Sequence, residues 1–171
     1  LGGENGSCAT IEALRVFAYG TDSVDTRFYE NYYADTMFDL NGDTIRLDNG
    51  TPLVYLPLEV RLDLSRLPAE KTAGARMKKY EIDKMGTKDG KLSDNDIVLF
   101  RYADVLLMRS EAKVRNGENG DEELNAVRFR VGMLPREATL ENILAERQLE
   151  LVWEGWRRQD LVRFGKFTRP Y

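Results

Sequence analysis

The sequence predicts a mainly α-helical chain: a helical region containing a tetratricopeptide-like αα-hairpin, preceded by a loop-rich region with short β-hairpins. Three observations lead there. From Leu1 to about Leu92, Gly, Asp, Asn and Thr crowd between short apolar runs. From Ile97 onwards, apolar residues recur every three or four positions. The balance of 42% hydrophobic and 32% charged residues is that of a globular chain. Residues 1–171 are expected to belong to one domain, loop-rich over 1–96 and helical over 97–167.

In the first region, turn signals stand at "DLNGD", "LDNGT" and "MGTKDGK". The run "TMFDLNGDTIRLDNGTPLVYLPL" places Met37, Phe38, Ile45, Leu47, Leu53, Val54, Tyr55 and Leu56 around Asn-Gly turns, as small hairpins require. Pro52 and Pro57 cannot donate to a ladder, so they keep these strands short or at an edge. "DLNGD" has the look of a calcium loop. However, Thr44 stands where such a loop needs glycine and Gly50 where it needs a bidentate glutamate, so a hairpin turn is expected.

In the second region, "RYADVLLMRSEAKVRNG" puts Ala103, Leu106, Leu107, Ser110 and Val114 on one stripe, and Asn116-Gly117 supplies the stop. A second helix is expected in "GDEELNAVRFRVGMLP", with Asp121 as N-cap, Glu122 and Glu123 at the positive end of the dipole, and Leu124, Val127 and Val131 facing inward. The two make an αα-hairpin of about 34 residues, the size of one tetratricopeptide unit. A third helix is expected from Thr139, whose hydroxyl can cap it, through Leu140, Ile143, Leu144, Leu151 and Val152 to an end or kink at Gly155.

Composition excludes several functions. With 25 basic against 29 acidic residues, the net charge of −4 offers neither nucleic acid nor an anionic membrane a basic surface. No apolar run reaches the roughly 18 to 20 residues of a membrane helix. Histidine is absent, which removes His-based triads and leaves carboxylates and one thiol, Cys8, as anionic metal ligands. Cys8 has no disulfide partner and is expected to be a small packed residue. No leader or apolar signal core precedes it, so it is not expected to carry lipid, and the chain reads as a piece of a longer or processed protein.

The segment "ILAERQLELVWEGWRRQDLVRFGKF" raises a choice. Glu146, Glu150 and Glu154 fall on one helical face at i, i+4 and i+8, where they repel unless compensated. A glycosidase needs two carboxylates across a cleft, one with a raised pKa. Arginines would lower those pKa values, and they are plentiful: Arg147 within reach of Glu150, Arg158 within reach of Glu154, and Arg101, Arg109, Arg128 and Arg130 on the preceding helices. An arginine–carboxylate lattice is the expectation. Trp153 and Trp156 are expected to pack between helices.

These residues also carry a resemblance. Arg101 to Met108 in "RYADVLLM" with Glu111-Ala112, then Glu146-Arg147, Glu150-Leu151, Glu154-Gly155, Arg157, Asp160-Leu161, Arg163 and Gly165, resemble in order and content the C-terminal part of the SusD/RagB family. These are outer-membrane nutrient-binding lipoproteins of Bacteroidetes. Asp25 and Arg27 in "VDTRFY" and Lys79-Tyr80 in "MKKY" are similar more loosely. Arg109 departs from the family's usual Tyr or Ala.

The resemblance implies a SusD-like helical scaffold whose loops bind a glycan, or less often a peptide, at the cell surface. It further implies that the ligand is handed to a SusC-like TonB-dependent barrel transporter, with no catalysis and no cofactor. It places the full-length protein at the outer membrane through a lipid anchor. Glycan sites combine aromatic platforms with polar hydrogen-bonding groups. The candidate cluster is in "TRFYENYYADTMFD": Arg27, Tyr29, Asn31, Tyr32 and Tyr33, with Phe28 among them. Two other classes stay open at this point: a tetratricopeptide-type protein-interaction scaffold, and a hydrolase working through Glu146, Glu150 or Glu154.

Overall fold

The structure is a computed structural model and describes residues 7–60, 72–80 and 95–168. The "MGTKDGK" turn lies outside them. The chain divides into two compact units, one of Leu1–Asp22 with Phe28–Asn95, the other of Ser23–Arg27 with Asp96–Tyr171. Among the described residues it is mainly helical, with short paired strands in the first unit only.

The first unit opens with a helix that the loop-rich texture concealed. Helix α1, Ile11–Val16, begins at Thr10, whose hydroxyl accepts the Ala13 N–H at 3.2 Å. Helix α2, Arg27–Asn31, starts in one unit and ends in the other. Strand β1, Tyr32–Tyr33, follows and pairs antiparallel with β4, Arg76–Met77, while β2, Asp35–Thr36, pairs with β3, Val54–Tyr55.

Between β2 and β3 the Asn-Gly turns act as expected, bringing Phe38 opposite Thr44 and Arg46 opposite Pro52. Three residues then close a ring of backbone hydrogen bonds: Ile45 N–H to Met37 carbonyl, Leu53 to Ile45, and Met37 to Leu53, at 2.7 to 2.9 Å. In the "DLNGD" turn, Asp39 Oδ1 accepts the N–H groups of Asn41 and Asp43 at 2.8 and 2.9 Å. That carboxylate therefore serves the turn.

The second unit is built on the predicted hairpin. Helix α3 spans Tyr102–Arg115 and ends at Asn116, with Gly117 at φ 77° supplying the left-handed turn. Helix α4 spans Asp121–Arg130. Its N-cap is Gly120, not Asp121, because α3 and α4 meet there: a Cβ on Gly120 would stand 2.7 Å from both the carbonyl and the hydroxyl oxygen of Ser110. Ser110 instead donates its hydroxyl to the Gly120 carbonyl at 2.8 Å. Asp121, inside the first turn, accepts the Ala138 N–H.

Helix α5, Leu140–Glu150, is capped by Thr139, which accepts the Asn142 N–H at 3.1 Å. It stops earlier than Gly155: Leu151 is its C-cap and Trp153 adopts φ 66°, so Glu154 lies beyond the helix. Helix α6, Arg157–Arg163, completes the unit. Leu107, Leu124, Val127 and Ile143 form the apolar core, with Ala103, Leu106, Val114, Ala138 and Phe164 packed on it. Each fully buried aliphatic side chain contributes about 1.5–3 kcal/mol. Val131 lies past the end of α4 and is only half-buried. Trp156 meets the Phe100 ring at 6.3 Å.

Candidate functional site

The five candidate glycan residues separate by burial. Arg27, Asn31 and Tyr32 are only 2–5% exposed, Tyr33 is half-buried, and Tyr29 is 52% exposed. Arg27 is engaged by its own unit, donating to Asp25 Oδ1 and Oδ2 at 2.9 and 2.7 Å, to Glu146 Oε1 at 2.7 Å and to Glu150 Oε2 at 3.0 Å. Burial works against its charge, but Asp25 and Glu146 outweigh it and hold the guanidinium pKa above its ordinary value.

The remaining four lie in the first unit. Asn31 accepts the Lys78 N–H at its carbonyl, and Tyr33 sits opposite Arg76 in the β1–β4 ladder. Tyr32 stacks on Phe28, with ring centres 5.2 Å apart, and burial pushes its hydroxyl pKa above the ordinary tyrosine range.

Phe28 is the hub of this aromatic cluster. Its ring lies 6.1 Å from Phe17, 4.4 Å from Tyr19 and 5.1 Å from Tyr29. Phe28 and Phe17 are fully buried. The reading of "TRFYENYYADTMFD" missed Phe17 and Tyr19, which arrive from the end of α1. The aromatic spacing of "VFAYG" was the available signal, but it lies eight positions upstream of the cluster and only folding joins the two.

The three glutamates of the opposing hypothesis are cross-linked. Glu146 accepts from Arg27 at 2.7 Å and Arg128 at 2.6 Å. Glu150 accepts from Arg27, Arg101 and Arg130, and Glu154 from Arg101 at 2.9 Å. Arg101 also donates to the Glu150 carbonyl.

Arg147 and Arg158 do not take the neighbours that spacing suggested. Arg147 is buried and binds Asp104 at 2.7 Å and Asp160 at 2.8 Å. Arg158 lies over the Phe167 ring at 5.3 Å. Arg109 pairs with Glu123. The Asp160 arm continues to Arg163, which reaches Glu111, itself paired with Arg115.

Asp25, Glu111 and Glu150 are each pushed up by burial and pulled down further by arginines: Arg27 for Asp25; Arg163 and Arg115 for Glu111; Arg101 with Arg27 and Arg130 for Glu150. All three end below the usual carboxylate range. An acid catalyst needs the opposite shift. The folded state therefore binds fewer protons than the unfolded one. This contribution to stability is complete above the ordinary carboxylate pKa of about 4 and is lost as pH falls through the depressed folded values. Urea unfolding midpoints are expected to stay nearly level from about pH 7 to 5 and to fall steadily below about pH 4. Midpoints level down to pH 2 would remove the lattice from the stability account.

Fold and site together define a helical scaffold locked by buried ion pairs, with an aromatic cluster carried on its loop-rich part. The chain belongs to the SusD family, whose model matches residues 17–170. It is similar to the starch-binding protein SusD of Bacteroides thetaiotaomicron, 36% identical over 91 residues, covering 52% of this chain and 16% of that protein. SusD-like protein P38 of Formosa agariphila is also 36% identical over 91 residues, covering 44% of this chain and 18% of that one. The solved surface glycan-binding protein A from Bacteroides thetaiotaomicron matches with 35% identity and a TM-score of 0.45, over 57% of this chain and 21% of its own. The chain thus spans less than a fifth of the length of the curated relatives it matches. Most of the charged residues that carried the family resemblance, among them Arg27, Arg101, Glu146, Arg147, Glu150, Glu154, Asp160 and Arg163, are members of the lattice.

Proposed function

We propose that the chain is part of a non-catalytic glycan-binding protein that captures its ligand at the cell surface and delivers it to a TonB-dependent barrel transporter. The supporting observation is family membership across residues 17–170, joined by a relative named for starch binding. Pairing of Glu146, Glu150 and Glu154 with arginines fits a structural role for these carboxylates better than hydrolysis. In this reading Tyr29 and Tyr33 meet the sugar, their rings against its C–H faces, while buried Tyr32 and Asn31 hold the segment and Arg27 serves the ion-pair lattice of its own unit. No helix among the described residues is long and apolar enough to cross a membrane. Attachment to the outer membrane is assigned to a lipid anchor on the full-length protein.

The test is affinity purification of the tagged full-length protein from its native outer membrane, followed by mass spectrometry. A large TonB-dependent barrel in stoichiometric amount is expected. Recovery of soluble proteins alone would overturn delivery to a transporter and favour the protein-interaction scaffold.

A further inference from the structure

Among the described residues Asn-Gly occurs at Asn41-Gly42, Asn49-Gly50, Asn116-Gly117 and Asn119-Gly120. The pair is chemically labile. Glycine has no Cβ to shield its backbone nitrogen, which can attack the side-chain amide carbon of the asparagine before it. A bond forms between the glycine nitrogen and the asparagine Cγ, and the Cγ–Nδ2 bond breaks. The glycine amide proton passes to solvent, the departing nitrogen takes up a proton and leaves as ammonia, and a cyclic succinimide remains. Water then opens the ring at either carbonyl, giving aspartate or isoaspartate.

The fold sets how readily each pair reaches this geometry. The asparagine amide must turn, and the chain must rotate about the asparagine Cα–C bond to bring the glycine nitrogen to Cγ. Asn119 is held against both: its Oδ1 accepts the Asp121 N–H at 2.7 Å, its Nδ2 donates to Asp121 Oδ2 at 3.2 Å, and Gly120 is packed on Ser110. At Asn49, the N–H and hydroxyl of Thr51 hold Oδ1 at 3.0 and 2.7 Å, and the Gly50 N–H donates to the Leu47 carbonyl at 2.8 Å. Asn116 caps α3, and the next two N–H groups donate back into that helix, Gly117 to Val114 at 3.1 Å and Glu118 to Lys113 at 2.8 Å. Rotation there undoes a helix end.

Asn41 differs from all three. It is exposed, its side-chain amide has no hydrogen-bond partner among the described residues, and a Cβ on Gly42 would meet open space. The Gly42 N–H donates to the Asp39 carbonyl at 3.2 Å, the longest of the three glycine turn bonds. Asp39 Oδ1 holds the Asn41 N–H, on the side of the residue that the rotation leaves in place, and the turn continues to Asp43 on exposed backbone.

We propose that Asn41 is a modification site, the asparagine at which the folded protein deamidates first. Conversion sets a new carboxylate between those of Asp39 and Asp43, and isoaspartate lengthens the backbone inside the turn by one carbon. The turn that brings Phe38 opposite Thr44 then loses its fit, whatever ligand the protein takes.

The test ages the folded full-length protein in mildly alkaline buffer, with tandem mass spectrometry locating each mass gain in tryptic peptides and isoaspartyl methyltransferase labelling counting isoaspartate. Asn41 should convert at least about fivefold faster than Asn49, Asn116 or Asn119, the factor conferred by one further hydrogen bond to be broken on opening. In urea the same asparagines should convert at similar rates. Asn41→Gln, whose longer side chain closes its ring slowly, should melt like the wild type and show no early gain in mass or negative charge. Conversion of any of the other three as fast as Asn41 in the folded protein overturns the proposal. So does an equal lead of Asn41 in urea, which would trace its lability to local sequence and not to the fold.

Discussion

Arg27→Met lowers the unfolding free energy by about 3–5 kcal/mol, the usual cost of removing one partner from a buried ionic network. Methionine fills the volume of the arginine stem but returns no charge to Asp25, Glu146 and Glu150, each 1–3% exposed. Glu146 keeps Arg128, and Glu150 keeps Arg101 and Arg130, so Asp25 bears the largest loss. Urea titration at pH 7 measures the change. Adding Asp25→Asn to Arg27→Met should recover part of it, because the second substitution removes the carboxylate stranded by the first. A single-variant loss below about 1 kcal/mol would mean that water replaces the guanidinium at little cost.

Phe28→Ala is the second large effect. The ring is fully buried and touches Phe17, Tyr19, Tyr29 and Tyr32, so its removal costs both the transfer of the ring from water and the cavity left behind, together about 3–5 kcal/mol. Near-ultraviolet circular dichroism should lose intensity, since four neighbouring rings lose a fixed partner. An unchanged aromatic spectrum with a loss below about 1 kcal/mol would show that the remaining rings collapse onto one another. The contrast between the two substitutions locates their energies: Arg27→Met acts mainly through charge left without compensation, Phe28→Ala through packing.

What was legible in the sequence follows from distance along the chain. Thr139 capping, the Asn116-Gly117 stop and the two Asn-Gly turns depend on residues within a few positions of one another, and each was readable. The arginine–carboxylate lattice was readable as a composition, but its wiring was not. Arg147 passes over Glu150, three-residue spacing notwithstanding, for Asp104 and Asp160, which α3 and α6 bring to it. Asp121 looks like an N-cap in sequence, and only the approach of Ser110 explains why Gly120 holds that position. At the candidate site, counting aromatic residues found Tyr29 but could not separate it from buried Tyr32. Nor could counting add Phe17 and Tyr19, which join the cluster only through Phe28.

The ion-pair lattice also has a temporal side. Arg27 and Glu146 are 119 positions apart. A ribosome adding roughly 5–20 residues per second needs on the order of ten seconds to travel from one to the other. Through that interval Asp25 and Arg27 have only each other and water, and closing so long a loop costs entropy before the glutamates repay it. The second unit therefore completes its interior late, when the residues of α5 and α6 have been made. Until then its acidic and basic members keep the nascent chain hydrated, and the same charges that lock the finished scaffold delay its premature collapse.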